Sequence, residues 1–114
     1  MREPSRDKGR LEDILEAADY VSSFVHGLKY GEFLSDKLRY FAVLKNVEII
    51  GEATYMISPA FKEAHPDLPW NNIIKMRHVL VHGYSSVLPE LLWDTAINDV
   101  PQFRKQIMML LDEI

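Results

Sequence analysis

The 114-residue sequence has no cysteine. Disulfides, thiolate metal ligands and cysteine nucleophiles are therefore excluded, and a reducing compartment is compatible. No run approaches the ~18 apolar residues that a membrane-spanning helix needs. The charged opening stretch, Met1 to Arg10, carries no apolar segment of the secretory kind. These absences lead to the expectation of a soluble cytoplasmic protein without a membrane partner. No alternating strand pattern of useful length, internal repeat or low-complexity tract is present. Phosphate-binding Gly-x4-Gly-Lys-Ser/Thr, dinucleotide-binding Gly-x-Gly-x-x-Gly and nucleophile-elbow Gly-x-Ser-x-Gly patterns are missing too. Positive charge is also in short supply. The formal net charge of −4 argues against a nonspecific nucleic-acid coat, though not against a locally basic cleft.

Apolar residues make up 47% of the chain, enough for the core of one small domain. Residues 1–10 mix charge with Pro4 and Gly9 and are expected to form a flexible arm. From Leu11, apolar residues recur at three- and four-residue steps through Val25, predicting a first helix that Gly27 ends. His26 to Asp36 reads as a loop from which Phe33 and Leu34 turn inward, with Ser35 or Asp36 capping the next helix. That helix, from Lys37 to Ser58, is apolar on a broad face and so should be central. Gly51 within it predicts a close helix approach. Ser58-Pro59 reads as the cap and first residue of a short helix through about Ala64. A third main helix starts near Trp70 and ends at Gly83. The last segment, from Leu88 to Ile114, should kink or divide at Pro101. The expected fold is all-α: an up-and-down four-helix bundle over residues 11–114, with a short extra helix and a kinked last helix.

The densest chemistry is in Met76-Arg77-His78-Val79-Leu80-Val81-His82-Gly83-Tyr84, where Arg77, His82 and Tyr84 stand as Arg-x4-His-x-Tyr. Arginine presents a planar donor fork suited to phosphate, and histidine exchanges protons near neutral pH. The two suit metal-free RNA cleavage, in which a 2′-hydroxyl attacks, the 5′ oxygen leaves and a charged phosphorane is stabilised. On an ideal helix Arg77 and His82 point about 140° apart. Either the helix end unwinds or the site is shared between two chains. Spacing alone also fits a salt-bridging or capping pair, and a histidine at a helix C-terminus interacts favourably with the dipole. His78 and His82 are four apart, a metal-ligand spacing, but lack an obvious third ligand. Glu52 reads either as a solvent-facing carboxylate or as a partner that orients Arg77.

Together these residues resemble the HEPN superfamily, specifically its HepT-like branch. The resemblance rests on Arg77-x4-His82-x-Tyr84 with a polar His78 after the arginine, on Ile49-Ile50-Gly51-Glu52-Ala53, on Pro69-Trp70 followed by Ile73, Met76 and Arg77, and on Trp93 with the later Pro101. It covers most of the chain from about Leu11. It implies a homodimeric, metal-independent ribonuclease toxin with catalytic Arg77 and His82 from both protomers lining one cleft, supported by Glu52 and His78. It implies no cofactor in this chain. It further implies a cognate minimal nucleotidyltransferase antitoxin that uses ATP to transfer AMP onto Tyr84. The alternative is a non-catalytic helical module that binds nucleotide or a nucleotidyltransferase.

Overall fold

Buried Leu11, Ile14, Ala18 and Val21 lie along one face of α1 (Asp7–Val25), the stripe that the three- and four-residue spacing predicts. Gly27, at φ +76°, takes the left-handed conformation that closes this helix. The structure is a computed structural model and describes residues 6–82 and 88–114. Residues 1–5 of the expected arm lie outside that range, but the arm does not extend to Arg10. α1 begins at Asp7, and Asp7 is buried. The cause is a tertiary tie that periodicity cannot register. The Asp7 carboxylate accepts hydrogen bonds from the backbone N–H of Ser58 at 2.9 Å and from its hydroxyl at 2.6 Å.

The expected loop from His26 to Asp36 contains a six-residue helix, α2 (Tyr30–Ser35). The Glu32 side chain reaches back to accept from the Lys29 N–H at 2.8 Å, capping its first turn. Phe33 is fully buried and packs against Tyr40 and Trp93. α3 (Lys37–Met56) is capped by Asp36, whose carboxylate accepts from the Arg39 N–H at 3.1 Å. It stops two residues before the expected Ser58. That serine is extended and caps α4 (Pro59–Ala64), accepting from the Phe61 N–H. α5 (Trp70–His82) follows the proline-bounded turn.

The final segment divides as expected near Pro101, and the junction is specific. α6 (Leu88–Asp94) runs into a π-helical turn, Thr95–Asp99, before α7 (Val100–Glu113). The Val100 N–H reaches back five residues to the Thr95 carbonyl. This widened turn precedes Pro101, which has no N–H to donate and sits in the first turn of α7 where none is needed.

The fold is an all-α bundle, with no strand among the described residues. α3 packs on both α1 and α5, and α7 covers α1, so α3 is central, as its broad apolar face requires. Asp7, at the start of α1, meets Ser58, just beyond the end of α3, so these two helices run antiparallel. No helix among the described residues is long and apolar enough to cross a membrane.

Candidate functional site

The α3–α5 contact positions the site. Trp70 anchors the start of α5: its ring packs edge-on against Phe103, and its indole N–H donates to the His65 carbonyl at 2.8 Å. Ile73 and Leu80 continue the buried face. Ile74 and Val81 are only partly buried. Gly51 lies directly beneath Arg77. A Cβ at residue 51 would stand 2.2 Å from Arg77 Cβ and 2.5 Å from Cγ, so the approach of the two helices requires glycine there. The arginine stem lies across the bare α3 backbone.

The guanidinium then meets the residue next to that glycine. Arg77 Nη2 is 3.1 Å from Glu52 Oε2, with the two side chains 33% and 58% exposed. Both readings of Glu52 therefore hold in part: it faces solvent, and it pairs with Arg77. Arg77 Nε is buried without a hydrogen-bond partner, an unmet donor of the kind that ordinary structural arginines avoid. Arg77 and Glu52 share a recess of about 410 Å³ with Tyr55, Ile74 and His78.

His82 does not line this recess. α5 stays helical through His82, so the helix end does not unwind, and Arg77 and His82 project about 140° apart. His78 links them. Its ring lies 4.6 Å from that of His82 between centroids, at an interplanar angle of 54°, as the four-residue helical spacing allows. Tyr84, with the expected helix end at Gly83, lies outside the described residues. Among the described residues, no group of three or more His, Cys, Asp or Glu is placed to hold a metal ion.

A second recess, of about 290 Å³, opens between α1 and α3, with Arg10, Asp13, Glu16 and Tyr20 on one wall and Glu52 at its edge. Three carboxylates against one arginine suit an anion poorly. The Arg77 recess holds a single carboxylate, Glu52, against one arginine and the imidazole of His78.

The family model for HepT-like ribonucleases matches residues 14–110. This chain belongs to the HepT-like ribonuclease family. A protein of Thermococcus cleftensis named "Probable ribonuclease HepT" is 40% identical over 97 residues, covering 85% of this chain and 88% of that protein. A Methanocaldococcus jannaschii protein named "Putative RNase" is 38% identical over 100 residues, covering 88% and 92%. No solved structure matches the chain with significance. Within this HepT-like domain, the Gly51-Glu52 pair and the Pro69-Trp70 lead-in gain a physical meaning. The first seats and pairs Arg77, and the second anchors the helix that carries it.

Sequence reasoning placed Tyr55 on the central helix without assigning it to the site. It stands three residues after Glu52, a spacing that puts both on one helical face. That signal was available once Glu52 was under consideration. Lys62 carried no such signal, because α4 folds back to place its ammonium 6.0 Å from the Tyr55 ring centroid.

Proposed function

We propose that this chain is an endoribonuclease toxin that cleaves RNA without a metal, at a cleft assembled from Arg77 and His82 of two copies. The observation that carries the reading is the held arginine. Gly51 seats the Arg77 stem and Glu52 engages one guanidinium arm, so a planar donor is set in advance at the wall of an open recess. Such preorganisation stabilises a phosphorane, because no donor must be reorganised as charge develops.

The divergence of Arg77 and His82 along an unbroken α5 supports two chains over one. In a symmetric pair, His82 of the second copy supplies the proton-transfer group beside Arg77 of the first. Two histidines then divide the roles of base and acid. The exposed face of α3 supports the same arrangement. Leu38, Phe41, Lys45, Glu48, Glu52 and Tyr55 follow alternating three- and four-residue steps, and Leu38 is 87% exposed. Leu38 and Phe41 make one end of this face apolar, which a second copy would cover, while Lys45, Glu48 and Glu52 keep the rest of it charged.

Tyr84 is the proposed off switch. In a nucleotidyltransferase partner, the Tyr84 hydroxyl attacks the α-phosphate of ATP, pyrophosphate leaves, and the AMP now on the tyrosine blocks RNA phosphate by bulk and repulsion. The second reading, a non-catalytic module that holds such a partner, is favoured by one observation: Glu52 already offsets the Arg77 charge.

Purified protein should cleave RNA in the presence of chelator and inhibit growth when expressed alone. His82→Ala should abolish both while leaving the helical circular-dichroism spectrum unchanged. Cleavage by folded His82→Ala at the parental rate would refute the catalytic role. For the switch, intact-mass spectra after co-expression with the partner should show AMP increments that vanish in Tyr84→Phe. A single unmodified mass with an active partner removes it.

A further inference from the structure

Tyr55 is an aromatic side chain, 46% exposed, lining the same 410 Å³ recess as Arg77 and His78. From this juxtaposition we infer that the recess is a base-binding subsite: Tyr55 stacks an unpaired RNA base next to the phosphate that Arg77 holds. The inference rests on the ribonuclease reading above and extends it to how substrate is gripped.

Several observations converge on a nucleobase. The recess combines a π-face from Tyr55 with an apolar wall from Ile74, while its polar groups are Arg77, Glu52 and His78. A base is flat and apolar on its faces and polar at its edge, and it is tethered to an anion. Tyr55 and Ile74 suit the faces, Glu52 and His78 can meet edge groups, and Arg77 suits the phosphate. Lys62 adds cationic charge on the far side. Its ammonium bonds the Tyr55 carbonyl at 3.3 Å and lies 6.0 Å from the ring centroid. In a chain of net charge −4, the cations Arg77 and Lys62 thus stand on either side of the Tyr55 ring, with Glu52 and the imidazole of His78 beside Arg77. This is the composition that single-stranded nucleic acid selects.

A second copy of the chain is the competing occupant of Tyr55. The most exposed large apolar residues on this face of α3 are Leu38 and Phe41, and Phe41 is about 21 Å from Tyr55 along the helix. Contact between copies at Leu38 and Phe41 therefore does not require the Tyr55 ring. Duplex RNA is disfavoured because its bases are already stacked and cannot enter a recess of this size.

The test uses the full chain carrying His82→Ala, so that binding is read without cleavage. Fluorescence anisotropy with a short single-stranded oligoribonucleotide should show binding weakened about ten-fold by Tyr55→Ala, the scale of one stacked base. Tyr55→Phe should bind like the parent. An oligonucleotide of abasic residues should bind the parent and Tyr55→Ala equally. In the His82-intact protein, Tyr55→Ala should raise KM by a similar factor with little change in kcat. Equal binding by Tyr55→Ala and the parent would overturn the inference. So would loss of self-association in Tyr55→Ala by light scattering, because it would give the ring to the second copy. Failure of the ribonuclease reading is distinct: His82-intact protein would then not cleave RNA, whatever the binding data show.

Discussion

Gly51→Ala is the sharpest test of how this site is built. The new methyl carbon would stand 2.2 Å from Arg77 Cβ, against a carbon–carbon contact distance of about 3.5–4.0 Å, a shortfall of at least about 1.3 Å. No rotamer change relieves it, because the backbone fixes the position of Arg77 Cβ. The α3 and α5 backbones must separate instead. Overpacking of a tight contact costs about 1–3 kcal/mol, and this contact belongs at the top of that range. Alanine offsets about 1 kcal/mol through its better helix propensity. The net expectation is a loss of about 2 kcal/mol, or a Tm lower by about 8 °C for a domain of this size. Gly9→Ala is the control. Gly9 is also helical, but nothing lies within 4 Å of its added Cβ, so Tm should hold or rise. Thermal unfolding by circular dichroism, with urea midpoints for confirmation, reads both. An unchanged or higher Tm for Gly51→Ala would refute the claim that a bare α3 backbone sets the helix spacing. Moving α5 also moves Arg77 away from Glu52, so RNA cleavage should fall in the fraction of Gly51→Ala that remains folded.

Two further predictions concern acidic residues outside the site. Asp7→Ala removes the buried acceptor for both the Ser58 N–H and hydroxyl and should cost about 2–3 kcal/mol in urea unfolding, because the N–H is left without a partner; a change under about 0.5 kcal/mol would show that water replaces the carboxylate without penalty. At Asp99, burial first and the nearby Asp94 second raise the carboxyl pKa above its usual value. The folded state therefore binds this proton more tightly than the unfolded chain, and the group weakens the fold as pH rises through its titration, with the full effect present at neutrality. Asp99→Asn should raise Tm at pH 7, and the gain should fade in acid, below the ordinary carboxylate range. A gain independent of pH would refute the electrostatic cause.

The main helices were legible because each carries a local signal: apolar spacing from Leu11 to Val21, Asp36 and Ser58 as caps, and Pro59 at a helix start. α2 was not legible. Its cap is Glu32 reaching back to Lys29, and the two glycines of that stretch mask a helix too short to show periodicity. The start of α1 was missed because Asp7 is held by a residue 51 positions away. In the candidate site, the motif nominated Arg77 and His82, of which only Arg77 lines the recess, and Gly51 signalled a close approach without naming its partner. Tyr55 went unassigned because an aromatic on an amphipathic helix is ordinarily core.

By itself the sequence determined the residue types, their spacing and the helical frame, since propensity, capping and amphipathic period are local properties. It also determined that Arg77 and His82 diverge on any regular helix. Only the tertiary structure decided which helix lies against which. That placed Gly51 under Arg77, set Glu52 on its guanidinium and opened the recess beside Tyr55. Such contacts depend on how far apart two helical backbones stand, and a one-dimensional pattern does not encode that distance.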